Sequence, residues 1–197
     1  MANVLLVIFA YALGSIPFAV VISRVFALPD PREYGSKNPG ATNVLRSGNK
    51  LAALFTLLLD GAKGFVAVWL AQHLHAPDAI VSGAAIAAML GHLFPLFLRF
   101  RGGKGVATSF GAWLALEPLL GVTALLVWVL VALVLRISSA AALASALCAP
   151  LVSAIISGMS VTTVTVLLMS ALLIVRHASN IRNLLLRSEG KIGEHEE

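Results

Sequence analysis

Charge is scarce in this chain: Asp, Glu, Lys and Arg together make up 12% of its 197 residues. An ordinary soluble domain carries about a quarter. Cysteine is scarcer still, because Cys148 stands alone and no intrachain disulfide can form. It lies in an apolar run with no cationic neighbour, which argues for a small core residue rather than a nucleophile. No Gly-x-Ser-x-Gly elbow is present, so a covalent serine intermediate of that kind is not expected. Histidines and carboxylates do not cluster at metal spacing, and no metal or other cofactor is expected. Gly-x-x-x-x-Gly-Lys-Ser/Thr is missing too, which excludes a Walker loop. No fixed-period repeat and no flexible linker divides the chain, so residues 1–197 are read as one membrane-embedded domain.

What is present is apolar. Hydrophobic residues make up 59% of the chain and mean hydropathy is +0.94, more than a soluble fold of this size can bury, so the bilayer is its solvent. Uncharged or nearly uncharged stretches run over 3–23, 51–74, 79–98, 105–116, 118–135, about 138–156 and about 160–176. Glu117-Pro118 divides the fourth from the fifth, and Ser157-Gly158-Met159-Ser160 the sixth from the seventh; Pro150 is expected to bend the sixth. The first lacks a leading cationic region and is read as a retained span rather than a leader. The expectation is an all-α integral membrane protein with seven transmembrane helices. Of the 14 Lys and Arg residues, all except Lys63 fall in the first, third and fifth connections or the tail. The positive-inside rule then puts those connections and the C-terminus in the cytoplasm and the N-terminus on the periplasmic side. Most of the net charge of +5 is this orientation signal, and no nucleic-acid partner is expected.

Three polar segments break the apolar background, all on the cation-rich side. The first connection reads Tyr34-Gly35-Ser36-Lys37-Asn38-Pro39-Gly40-Ala41-Thr42-Asn43-Val44-Leu45-Arg46. Its glycines and proline permit sharp turns, and Ser36, Asn38, Thr42, Asn43 and Arg46 offer polar contacts suited to a polyol phosphate. A plain turn before a helix capped by Thr42 or Asn43 explains the same pattern. The third connection contains Arg101-Gly102-Gly103-Lys104-Gly105-Val106-Ala107-Thr108. Backbone amides converging at the paired glycines, a fixed ammonium and the start of a following helix would make a phosphate cradle. The tail begins Arg176-His177-Ala178-Ser179-Asn180, which puts His177 and Asn180 on one face of a helix continuing into the cytoplasm. Inside the second span, Asp60 and Lys63 are one turn apart and read first as a structural ion pair, second as a brace for the polar loops. His92 is either a satisfied core histidine or a loop-orienting one.

Taken together, these segments resemble the bacterial integral-membrane glycerol-3-phosphate acyltransferases that use acyl phosphate as donor. The resemblance runs from end to end. It rests on Gly35 to Asn43, on Gly91-His92 with Phe100 to Thr108, on Arg176-His177 with Asn180-Ile181, and on Asp60-Gly61 and Lys63-Gly64. Arg101 stands where the family commonly has lysine, and Arg187-Ser188-Glu189 where it often has Gly-x-Glu. The resemblance implies a seven-helix bundle in the bacterial inner membrane with a cytoplasmic active site. It implies transfer of a fatty acyl group from acyl phosphate to the 1-hydroxyl of glycerol 3-phosphate, giving lysophosphatidic acid and phosphate. The expected catalytic residues are Lys104, His177 and Asn180. Expected to contact substrate are Ser36, Asn38, Thr42, Asn43, Arg46, Arg101, Gly102, Gly103, Gly105 and Thr108. Within that set the amides of Gly102, Gly103 and Gly105, with Thr42 and Asn43, are expected to hold the acyl-phosphate headgroup. Ser36, Arg46, Lys104, His177 and Asn180 would then hold glycerol 3-phosphate. The hydroxyl proton can leave to the donor's phosphate or to His177, and the residues alone do not choose. His73 and Asp78 match the His-x4-Asp pattern of a different acyltransferase group, but they lie in a cation-free connection and are read as coincidence. The rival reading, a carrier for a phosphorylated solute, calls for inverted repeats and broken helices in matching halves, and the sequence shows neither.

Overall fold

The computed structural model describes residues 1–193. Every regular element among them is helical: α1 (Ala2–Gly14), α2 (Phe18–Val25), α3 (Ala41–Leu45), α4 (Lys50–His73), α5 (Asp78–Leu93), a 3₁₀ turn at Leu96–Leu98, α6 (Val106–Leu116), α7 (Pro118–Leu135), α8 (Ser138–Ser157), α9 (Val161–Arg176) and α10 (Ala178–Leu185). The breaks fall where local chemistry demands them. Glu117 is extended and Pro118 opens α7, where its missing N–H costs nothing. Gly158 takes φ +61° after α8, and the Ser160 side chain caps α9 by accepting from the Thr163 N–H.

α4, α5, α7 and α8 are each long and apolar enough to cross a membrane, and the bent pairs α1–α2 and α9–α10 bring the number of candidate crossings to as many as six. α6, with 11 residues, falls short of that length. Two expectations change in detail. The first span is not one straight helix: Pro17 interrupts it, and α1 and α2 meet at 43°. Lys63 reaches into that break and donates from Nζ to the Ile16 carbonyl at 2.9 Å, while pairing with Asp60 at 2.7 Å. The charge inside the second span therefore supplies a hydrogen bond to an irregular stretch of the first. The last helix likewise does not run straight on; it turns by 59° at His177.

Small residues let the helices pack closely. A Cβ on Gly14 would overlap the Ala88 carbonyl, and one on Gly91 the Tyr11 carbonyl, so α1 and α5 meet backbone to backbone. Gly64 against Thr108 and Gly111 against Gly61 do the same for α4 and α6. Trp113, Met89, Leu93, Leu120, Met169 and Leu173 fill the core between these pairs. Outward-facing Leu, Val, Ile and Phe side chains are left exposed on most helices, as a lipid-facing surface requires. The polar loops gather at one end of this bundle.

Candidate active site

The paired glycines do not hold out free amides. Gly102 N–H donates to the Leu93 carbonyl and Gly103 N–H to the His92 carbonyl, both at 3.1 Å. A Cβ on Gly102 would overlap the His92 carbonyl, and one on Gly103 the His92 imidazole. These glycines therefore let the loop lie flat on the end of α5, and the expectation that their amides grip a phosphate is corrected. Arg99 and Phe100, both in the left-handed region at φ 51° and 62°, turn the chain back for this seating. Arg176 fastens the loop from the other side, donating from Nη2 to the Gly102 and Gly103 carbonyls at 3.3 and 3.2 Å. Its guanidinium also lies 5.5 Å from the Phe94 ring centre.

Seating the loop delivers Lys104 to a cavity of about 170 Å³, lined by Ser36, Asn38, Thr42, Asn43, Arg46, Lys104, Gly105, His177 and Asn180 among others. Nine of the expected residues thus converge on one space. Arg101 is exposed and Thr108 is fully buried inside the bundle, and neither lines it. The start of α6 also borders the cavity, where Val106 and Ala107 form part of the wall. First-turn N–H groups have no intrahelical acceptor, and the helix dipole makes that end positive. The phosphate-binding capacity read from the glycines lies a few residues further on.

Lys104 Nζ donates to Asn180 Oδ1 at 2.6 Å, and Asn180 Nδ2 donates to Glu189 Oε1 at 2.6 Å. Ser139 Oγ donates to the same carboxylate oxygen at 2.6 Å. One continuous chain therefore links the loop, α10, the tail and α8. Burial pulls the Lys104 ammonium below the ordinary lysine pKa, and the Glu189 carboxylate works against that fall. His177, at the α9–α10 bend just past the last span, is only 2% exposed. Its Nδ1 lies 2.8 Å from the Leu173 carbonyl. A carbonyl can only accept, so Nδ1 carries the proton and Nε2 keeps a lone pair. Burial pushes the pKa of this histidine down to about 4, against the opposing hydrogen bond to Leu173, and the ring is neutral near pH 7.

That shift has a consequence for stability. The folded protein resists protonating His177, whereas the unfolded chain takes the proton near the ordinary histidine pKa of 6.5. Stability from this group is thus complete above about pH 6.5 and declines as pH falls toward 4. The thermal midpoint of His177→Asn in detergent is expected to fall less steeply between pH 7 and pH 5 than that of the wild type.

Asn43 takes a different part from the one expected. It does not cap α3, whose N-cap is Gly40 with no side-chain bond. Instead its Oδ1 accepts from the Ser36 N–H at 3.0 Å, and its Nδ2 donates to the Pro31 and Tyr34 carbonyls at 2.6 and 3.2 Å. Asn43 holds the first loop in shape, and Gly35 in that loop takes φ +53° to make the turn. Thr42 instead reaches Ser138 at 3.0 Å.

Glu189, Ser138, Ser139, Asp60 and His92 also border the cavity. Glu189 did carry a signal, as the first carboxylate after Glu117 in a cationic tail. The chain returns over the α7–α8 turn through Ile192 N–H to the Arg136 carbonyl at 2.6 Å, a fold-back no local pattern announces. Ser138 and Ser139 look like an ordinary helix start and gave none. The cavity's other wall is apolar, made by Leu57, Phe110, Leu125, Trp128 and Ala142, and Leu57 and Leu125 are exposed on the lipid-facing surface. The site is therefore polar and cationic at one end and greasy at the other. Such a space can hold an anion beside an alkyl chain. Among the described residues no group of three or more His, Cys, Asp or Glu could hold a metal ion.

The family model for glycerol-3-phosphate acyltransferase matches residues 4–187. A glycerol-3-phosphate acyltransferase of Nitrosomonas eutropha is 55% identical over 98% of this chain and 99% of its own length. That of Paraburkholderia phymatum is 52% identical over 98% and 94%. Crystal structures of PlsY (YgiH), an integral membrane glycerol 3-phosphate acyltransferase, superpose with TM-scores of 0.93 in the glycerol 3-phosphate form and 0.91 in the lysophosphatidic acid form. The identities are 35% and 34%, and each match covers 98% of this chain and 96% of the other. A multi-pass helical membrane protein with a polar cavity at one end of its bundle, this chain belongs to the glycerol-3-phosphate acyltransferase family.

Proposed function

We propose that the protein transfers a fatty acyl group from acyl phosphate to the 1-hydroxyl of glycerol 3-phosphate, releasing lysophosphatidic acid and inorganic phosphate. The observation that carries this reading is the two-ended cavity, in which Lys104 and the start of α6 face an apolar wall open toward lipid. The glycerol 3-phosphate and lysophosphatidic acid forms of PlsY support the acceptor and the product.

In this reading Lys104, Arg46 and Ser36 hold the phosphate of glycerol 3-phosphate, and the α6 amides hold the phosphate of the donor. The acyl chain lies along Leu57, Phe110, Leu125 and Trp128. An acyl phosphate is a mixed anhydride and arrives activated, so positioning two anions and screening their repulsion does most of the catalytic work. The 1-hydroxyl oxygen bonds to the acyl carbon while the carbon–oxygen bond to phosphate breaks. His177 Nε2 accepts a hydrogen bond from the hydroxyl and aims it. With a pKa of about 4, this ring is a poorer proton acceptor than the inorganic phosphate released as the carbon–oxygen bond breaks, which is more basic than a phosphate ester. The proton therefore leaves with the departing phosphate.

The reading includes a topology. Seven crossings result when the bent pair α1–α2 counts once, α9 makes the last crossing as far as Arg176, and the short α6 is included as a span. The polar end faces the cytoplasm, as the distribution of Lys and Arg favours, and the bacterial inner membrane houses the whole chain as one domain.

Purified protein in liposomes, given radiolabelled glycerol 3-phosphate with acyl phosphate, acyl-CoA or acyl carrier protein thioester, tests the donor. Lipid-extractable product is expected with acyl phosphate alone. Product from either thioester without acyl phosphate contradicts the proposal.

A further inference from the structure

At the inner edge of the cavity lies a buried group that the mechanism does not use. Asp60, Lys63 and His92 are 3%, 3% and 8% exposed, and they come from α4 and α5. Asp60 Oδ1 pairs with Lys63 Nζ at 2.7 Å and faces His92 Nδ1 at 3.5 Å without an aligned hydrogen bond. Lys63 is held in turn by the Ile16 carbonyl at the break between α1 and α2. The other edge of the His92 ring bears on the glycine loop: Nε2 occupies the space a Gly103 Cβ would need, and the His92 carbonyl accepts from Gly103 N–H at 3.1 Å. Lys104 is the next residue. A charged pair in the apolar interior is costly, and a conserved-volume apolar pair would pack α4 as well. What the charges provide here is direction: the carboxylate draws the Nδ1 edge of the imidazole toward α4, and the opposite edge sets the height of the loop.

We propose that His92, oriented by the Asp60–Lys63 pair, is a positioning residue that sets where the Lys104 ammonium stands in the cavity. The ring acts through Gly103, and it matters for the acceptor phosphate because that is what Lys104 holds. This rests on the functional reading above.

The test separates positioning from general support of the fold. His92→Gln and Asp60→Asn keep size and polarity while removing the ring and the charge. Both are to be purified in detergent, reconstituted, and assayed with acyl phosphate and glycerol 3-phosphate varied in turn. The expected result is a rise of about tenfold in KM for glycerol 3-phosphate, with KM for acyl phosphate changed less than twofold. A merely structural loss lowers the fraction of active enzyme, and so lowers apparent kcat with both KM values unchanged; that result overturns the proposal, as does full wild-type behaviour. Should one variant fail to fold, the other decides. Wild-type protein assayed in parallel keeps the two readings apart: no turnover there refutes the functional reading, whereas wild-type turnover with unshifted variants refutes only the role of His92.

Discussion

Lys104→Ala is expected to lower kcat/KM for glycerol 3-phosphate by about a hundredfold to a thousandfold, as loss of one preorganised charge-stabilising donor does. The ammonium sits in a cavity with restricted access to water, where its charge is poorly screened, and it stands at the point fixed by Asn180. Its removal also strands Asn180, whose Oδ1 accepts from Lys104 while its Nδ2 donates to Glu189. The Glu189 carboxylate then loses the ammonium that Asn180 links to it, in a cavity that must hold two anionic substrates. Lys104→Arg is expected to recover little, because a broad planar guanidinium cannot place its charge at the same point beside Asn180. Steady-state rates on reconstituted protein measure both effects. Membrane insertion, size-exclusion profile and thermal midpoint of the alanine variant should stay near wild type, since the Lys104 side chain is not part of the apolar core. Near-normal turnover in Lys104→Ala would remove Lys104 from the site.

The second large effect concerns assembly rather than chemistry. Gly111→Val is expected to abolish recovery of folded protein. A Cβ at Gly111 would overlap the Gly61 carbonyl and crowd the Phe65 amide, both backbone, so no rotamer change relieves the clash. α4 and α6 would have to separate, and Gly64 against Thr108 would open with them. In lipid, where association of helices depends on close packing and not on exclusion of water, lost contact along such a seam is not compensated. Overpacking a soluble core costs about 1–3 kcal/mol; here the displacement also moves α6, whose first turn forms the cavity wall. Gly83→Val is the control, because the nearest atom to a Cβ there is the end of the Val7 side chain at 3.4 Å and its backbone is not in the left-handed region. Folded yield after detergent extraction, followed by size-exclusion chromatography, distinguishes the pair.

How far the sequence reached follows from what kind of signal each feature leaves. Helix breaks at Glu117-Pro118 and at Ser157 to Ser160 were legible because proline and glycine act locally. The bends at Pro17 and His177 were not read. An apolar run looks continuous when a partner from elsewhere, such as Lys63 at the Ile16 carbonyl, stabilises the irregular stretch. The polar segments themselves stood out against their background, and most of their side chains do meet. The division of labour inside them was misread, for a physical reason. Two glycines in a cationic loop suit either free amides or close seating, and only the packing partner decides; the His92 carbonyl and ring decide for seating. Asn43 shows the same limit, since an asparagine that binds a ligand and one that ties a loop have identical local surroundings in sequence. Glu189 reached the site through a fold-back over Arg136, which is a tertiary event.

A structure with glycerol 3-phosphate bound is the most direct measurement of the central claim. The phosphate is expected within hydrogen-bond reach of Lys104 Nζ and the Ser36–Arg46 loop, with the 1-hydroxyl turned toward His177. A ligand seated outside this cavity, or in it with its phosphate away from Lys104, would contradict the account.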